Sequence, residues 1–147
     1  QTMADEKAVL AESLSDENDS VEFLESEDGL SFRRSEVGPD VPRDLRRGRW
    51  VVMGQLDLHG MFVEEAREAV VDFIKKSRAN DRLCVRIIHG KGNGSPDRQA
   101  ILREKVRRWL KQFDEVVAFA EPFERDGGAG ATVVRLKPSV HPSKRGC

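Results

Sequence analysis

From Gly54 onward, apolar positions recur with two periods, and the alternation between them sets out a string of elements. Residues 55–58 read as a short strand, with Leu56 and Leu58 on one face and Asp57 on the other. Over residues 63–78, Ala66, Val70, Phe73, Ile74 and Ser77 fall at offsets 0, 4, 7, 8 and 11, one face of a helix. Residues 83–88 are a nearly unbroken apolar run, as expected of a strand covered on both faces. Ser95-Pro96-Asp97 then starts a second helix, with Ser as cap and Pro in the first helical position. In that helix Leu102, Val106, Trp109, Leu110 and Phe113 repeat the same offsets. Residues 116–120 and 132–136 read as two more strands, joined by a turn containing Gly127, Gly128 and Gly130. The order β-α-β-α-β-β predicts an α/β fold with two helices and four strands.

The stretch before Gly54 lacks this regularity. Residues 1–28 hold one modest helical pattern over 4–14 and otherwise little to bury, so they are expected to be disordered or loosely helical. Residues 29–53, punctuated by Gly38-Pro39 and Val41-Pro42 and carrying Arg43, Arg46, Arg47 and Arg49, read as a linker. Its end, Trp50-Val51-Val52, is apolar enough to dock. Three parts are therefore expected: an acidic extension with a basic linker at 1–49, a folded domain at 50–137, and a basic, frayed tail at 138–147.

Charge sharpens this division. The net charge of −1 is a cancellation: residues 1–40 hold 12 Asp/Glu against three Lys/Arg, a net of −9, and residues 41–147 carry +8. The basic part suits a polyanion, and the acidic part suits a solubilising tail or an internal competitor. No window approaches 18 apolar residues, so no transmembrane helix or membrane partner is expected. Gln in first place suggests a trimmed chain, and the acidic N-terminus lacks the apolar core of a signal peptide. Cys84 and Cys147 do not make a disulfide framework, which points to a reduced, cytoplasmic setting; separately, a monomer is expected.

Right-handed crossovers make the first three predicted strands parallel, so their carboxyl ends share one sheet edge, where open α/β sheets bind ligands. Two strings stand there: Leu56-Asp57-Leu58-His59-Gly60 and His89-Gly90-Lys91-Gly92-Asn93-Gly94. Each brings a His-Gly step to the N-terminus of a helix, a place that favours anions. In the first, Asp57 two residues before His59 is placed to orient the imidazole for proton transfer; the plainer reading is a turn cap beside a surface histidine. In the second, the glycines allow backbone N–H groups to form an anion nest, with Lys91 as a mobile cation. It is neither a GxGxxG nor a P-loop sequence. The second helix carries Arg98, Arg103, Lys105, Arg107, Arg108 and Lys111 against Asp97 and Glu104, as expected of a helix that follows a nucleic-acid backbone. With no Tyr, and Trp109 on the apolar stripe, base stacking finds little support. Asp57, His59 and His89 would make a sparse metal set, opposed by Lys91.

Together, Leu-Asp-Leu-His-Gly, His-Gly-Lys-Gly and the late Gly-Gly-Ala-Gly-Ala resemble the Smr (small MutS-related) domain over roughly residues 50–137. The segments Leu30-Ser31-Phe32-Arg33-Arg34 and Leu45-Arg46-Arg47-Gly48 are similar to stand-alone bacterial Smr proteins of the SmrA type. The resemblance implies an α+β two-layer sandwich, two helices on a four-stranded mixed sheet like the C-terminal domain of translation initiation factor three, together with nucleic-acid binding and endonuclease activity on DNA or RNA. By that likeness Asp57 and His59 match the catalytic motif, His89, Gly90, Lys91 and Gly92 the second motif, and Gly127, Gly128 and Gly130 the third. The expected catalytic set is Asp57, His59, His89 and Lys91. Phosphate binding is expected of Gly60, Gly90, Gly92, Asn93, Gly94, Arg98, Arg103, Arg107 and the three late glycines. With RNA as substrate the 2′-hydroxyl would be the nucleophile and no cofactor is needed; with DNA, Mg²⁺ or Mn²⁺ becomes plausible. The rival readings are a non-catalytic RNA-binding or ribosome-associated adaptor and a small-molecule phosphate enzyme.

Overall fold

The computed structural model describes residues 23–90 and 96–138, with residues 96–100 as backbone alone. The expected helix over 4–14 and the tail beyond Pro138 lie outside the described residues. The elements run β1 (Phe23–Glu25), β2 (Ser31–Arg34), α1 (Asp40–Arg47), β3 (Gly54–Asp57), α2 (Val63–Ala79), β4 (Cys84–Ile88), α3 (Pro96–Leu110), β5 (Val116–Ala120) and β6 (Ala131–Leu136). Those from β3 onward match the periodicity to within a residue or two.

All six strands form one mixed sheet in the order β1-β2-β5-β6-β4-β3. β3 pairs parallel with β4, while β6 lies antiparallel between β4 and β5. Hence β3, β4 and β5 all point one way, and their carboxyl ends meet at one edge as handedness required. β3 is the outermost strand there and β4 is interior. Asp57, Ile88 and Ala131 stand abreast across this edge.

The sheet has six strands rather than the expected four, because residues read as extension and linker supply β1 and β2. Their pattern is hard to see, since each is short and only every second residue turns inward. Phe32 stacks on Phe119 at 4.7 Å, and Phe23 meets the same ring at 5.7 Å. Arg34 is buried because its guanidinium donates to the carbonyls of Val116 (2.8 Å) and Phe113 (2.7 Å). A charge is tolerated inside when its hydrogen bonds are met.

Two apolar layers flank the sheet. On one face α2 and α3 bury Val70, Ile74, Leu102, Val106, Trp109 and Leu110 against Val85, Ile87, Phe119 and Val134. On the other, α1 seats Leu45 against Cys84, Ala118, Ala120 and Val133, with Trp50 and Val52 at its margin. The predicted docking of residues 50–52 thus takes place, although Val51 stays exposed.

Candidate active site

The carboxyl edge is built from three loops that hydrogen-bond in sequence. The Leu58 N–H donates to the carbonyl of Ile88 at 2.7 Å. The N–H groups of His89 and Gly90 both donate to the carbonyl of Gly130 at 3.0 Å. The three expected loops therefore form one continuous rim.

On the outer strand, Asp57 and His59 are both exposed. The Asp57 Oδ1 accepts the backbone N–H of His59 at 2.8 Å. The carboxylate thus closes an Asx turn and fixes the backbone from which the imidazole projects. The expected carboxylate–imidazole bond is absent: among the described residues the His59 ring has no hydrogen-bond partner. Gly60, with φ +84, then reverses the chain, and the space beside its Cα is open. Met61 N–H closes back on Leu58 O at 2.9 Å.

The first turn of α2 is not a free anion site. Glu64 and Glu65 already occupy it, Glu65 taking the Phe62 N–H at 3.0 Å and Glu64 bridging to Arg67 at 2.7 Å. Carboxylates there satisfy the helix dipole that a phosphate would otherwise use.

His89 departs from its expected role. Its side chain is 0% exposed, turned beneath α3 to the face opposite Asp57. Nε2 meets Thr132 Oγ1 at 3.0 Å, and Nδ1 lies 3.4 Å from Gly90 O. Burial, followed by the positive charges of Arg107 and Arg103, lowers its pKa to about 4, against one favourable contact with Gly90 O. The imidazole is thus buried and neutral on the face away from the exposed Asp57–His59 pair. The reason lies in the sheet: β4 is covered on both faces and flanked on both sides, so alternation carries His89 inward after Val85 and Ile87.

Lys91, Gly92, Asn93 and Gly94, and the side chain of Arg98, lie outside the described residues. Arg107, expected on the outer face of α3, folds inward instead. Its guanidinium sits 5.4 Å from the Phe32 ring and 3.7 Å from the Glu121 carboxylate, and the side chain is 14% exposed. Burial, then Arg103, lowers its pKa. Arg103 is half-buried, and among the described residues its Nε has no hydrogen-bond partner. Gly127, Gly128 and Gly130, expected at the phosphate, shape the rim. An added Cβ at Gly128, where φ is +52, would meet Glu124 Oε1 at 2.5 Å, and buried Gly130 supplies the carbonyl already described.

One cation was missed. Arg86 interrupts the apolar run of β4 on the Asp57 face, and its Nε and Nη2 donate to Gln55 Oε1 at 2.9 and 2.8 Å. Nη1 reaches Asp126 O at 3.1 Å. It lines a cleft of about 480 Å³ with Gln55, Ile88, Gly90, Arg125 and Gly130. A lone arginine within an otherwise apolar strand is the signal that could have found it. Among the described residues no three His, Cys, Asp or Glu side chains converge as metal ligands. No helix among them is long and apolar enough to cross a membrane.

The Smr domain description fits residues 56–137. The chain is 38% identical over 111 residues to an Escherichia coli protein named "Probable DNA endonuclease SmrA", covering 76% of this chain and 59% of that one. It is 36% identical over 114 residues to "Ribosome rescue factor SmrB" of Aliivibrio fischeri strain MJ11, covering 77% and 61%. It thus spans about three-fifths of the length of these curated relatives. Among solved structures, YdaL, a stand-alone small MutS-related protein from Escherichia coli, superimposes with a TM-score of 0.69 at 33% identity, covering 89% of this chain and 98% of that one. The Smr domain of Thermus thermophilus MutS2 gives a TM-score of 0.52 at 35% identity, covering 58% and 100%. The periodicity, the rim and these likenesses agree: the chain belongs to the Smr domain family.

Proposed function

We propose that this protein is an endonuclease that cuts phosphodiester linkages at the rim between the Asp57–Gly60 loop and the Arg86 cleft. The observation that carries the reading is the exposed imidazole of His59 on a turn fixed by Asp57, with an anchored guanidinium on the adjoining strand. Imidazole is the side chain best suited to moving a proton near neutral pH. His59 is assigned as general base, Asp57 as the residue that positions it, and Arg86 as a cation facing the phosphate, with Lys91 completing the charge from the second loop. His89 is assigned a positioning role, holding the start of that loop through Thr132.

On RNA, His59 would take the proton of the 2′-hydroxyl as the 2′-oxygen attacks the adjacent phosphorus. The bond to the 5′-oxygen breaks, and that oxygen leaves as a hydroxyl after accepting a proton. The products are a 2′,3′-cyclic phosphate and a 5′-hydroxyl end. On DNA, water must attack instead, and a divalent cation would assist it. End-group analysis of cut RNA and DNA, with and without EDTA, distinguishes the two. His59→Ala and Asp57→Ala should abolish most cutting; undiminished cleavage by both variants refutes the assignment.

A second reading rests on the relatives named ribosome rescue factors. On that reading the chain is a ribosome-associated adaptor whose basic surface binds RNA without turnover. Binding that survives His59→Ala, with no cut product from the unaltered protein, would favour it.

A further inference from the structure

The basic cluster that precedes β3 has no part in the rim chemistry, yet the structure gathers it at one place. Arg43, Arg47 and Arg49 all approach a single carboxylate, that of Asp44, at 4.0, 3.8 and 4.0 Å. Asp44 is buried, whereas each of the three arginine side chains is more than half exposed. Among the described residues Asp44 Oδ1 has no hydrogen-bond partner, so these are loose charge pairs. One negative charge faces three positive ones, and an excess of two stays on the surface of α1 and the turn after it.

That excess borders a groove leading from the rim. By register, Gln55 and Asp57 of β3, Arg86 and Ile88 of β4, and Val133 of β6 share the face of the sheet on which α1 lies. α1 packs on β2, β5 and β6, and beside it the 480 Å³ cleft opens over Gln55 and Arg86. A second cleft of about 340 Å³ adjoins the first, because Arg86, Arg125 and Asp126 line both. It is also lined by Gly48, Trp50 and Val51, and Arg47 and Arg49 flank Gly48 in the chain. Arg125 ties the parts together, its Nη2 donating to Arg47 O at 2.9 Å. Arg86, at the junction, bonds neutral oxygens, the Gln55 amide and the Asp126 carbonyl, so its charge is held in place without being neutralised.

Charge then selects the direction in which a polyanion leaves the rim. Toward α2 it meets Glu64 and Glu65; toward α1 it meets Arg86, Arg125, Arg47 and Arg49. The strip along β3 from Asp57 to Gly54 is three residue steps, about 10 Å.

We propose that the nucleic-acid strand runs from the rim along the Gln55–Arg86 strip into the second cleft, where Arg47 and Arg49 hold its phosphates. The interface thus extends onto α1, which lies before the Smr domain at residues 56–137. This rests on the reading of the rim as the place where the strand is held. Contacts of this kind position a backbone and carry no sequence preference.

The test is fluorescence anisotropy over a salt series, with steady-state cleavage, on single-stranded and duplex oligonucleotides of graded length. The double variant Arg47→Gln/Arg49→Gln should raise Kd at low salt by about 10-fold or more. It should also flatten the dependence of log K on log salt by about 1.4 to 1.8, the slope lost with two phosphate contacts. The loss should appear in KM and not in kcat, as when ground and transition states lose the same contact. On strands too short to pass the Arg86 junction it should vanish. Arg49→Gln alone should flatten the slope by about half as much, which keeps the result readable if the double variant folds poorly. Lys76→Glu, on α2 across the sheet, changes the net charge by the same two units and should leave the slope as it is. Wild-type binding and slope in the double variant, an equal loss from Lys76→Glu, or an equal deficit on the shortest strands overturns the proposal. An unaltered protein that binds but cuts no strand instead refutes the endonuclease reading, and the salt series still decides the groove.

Discussion

The two His-Gly steps begin alike in sequence and end in opposite environments. Leu58-His59-Gly60 leaves β3 at the edge of the sheet, with the ring in solvent; Ile88-His89-Gly90 leaves β4, one strand in from that edge, with the ring sealed against Thr132. Nothing in the local strings separates them. The difference comes from β6, which is inserted beside β4 and brings Thr132 and the Gly130 carbonyl against the second step. A strand's place in the sheet thus decides whether a histidine at its end has room to act or is left to brace.

The largest expected effects contrast the two rings directly. His59→Ala should lower kcat/KM by about 10²- to 10⁴-fold, the usual worth of a general base, with Tm nearly unchanged because the side chain is exposed. His89→Ala should do the reverse in kind, destabilising by about 2–4 kcal/mol through a cavity and an orphaned Thr132 hydroxyl. Denaturant melts alongside single-turnover cleavage would read both. If His89→Ala left the fold intact and removed cutting outright, the division between acting and bracing histidines would collapse.

Acid offers a gentler probe of the same contrast. His89 is held neutral in the fold, with its pKa down at about 4 against 6.5 when unfolded. Between those values the unfolded chain binds the extra proton, so stability is full above pH 6.5 and falls as the pH drops toward 4. The loss should approach about 3 kcal/mol, and His89→Gln should flatten that part of the profile. An unchanged slope in His89→Gln would show that other groups carry it. Thr132→Val, which keeps the shape but removes the hydroxyl, should cost about 1–2 kcal/mol at pH 7.

What the chain disclosed from its pattern follows the range of the forces involved. Helices α2 and α3 and strands β3 to β6 were legible because each announces its buried face locally, Val70 and Ile74 or Val106 and Trp109 by spacing alone. The shared edge was legible too, since handedness depends only on element order. The interior position of β4 was not, because it is set by pairing with β6 more than forty residues away. β1 and β2 escaped notice because Arg34 enters the core on carbonyls of a distant segment, a bond that no local pattern reveals. At the site, Asp57 and His59 could be read as a pair, but the carboxylate turned out to hold the backbone and not the ring. Arg86 was hidden by the apolar residues on either side of it.

The smallest effect concerns the hinge that presents His59, the proposed base. Gly60 and Gly128 both have positive φ, but their surroundings differ: an added methyl meets nothing within 4 Å at Gly60 and a Glu124 oxygen at 2.5 Å at Gly128. Gly60→Ala therefore bears only the left-handed backbone, about 1 kcal/mol, whereas Gly128→Ala bears that and a displaced side chain. Stability should fall less at Gly60, yet cleavage should fall more, because the strain relaxes by moving His59 against its Asp57 anchor. Gly128→Ala disturbs the rim on the braced side and should lower Tm with a milder loss of turnover. Equal loss of cutting in the two variants at matched stability would mean that the outer loop has no special claim on the chemistry.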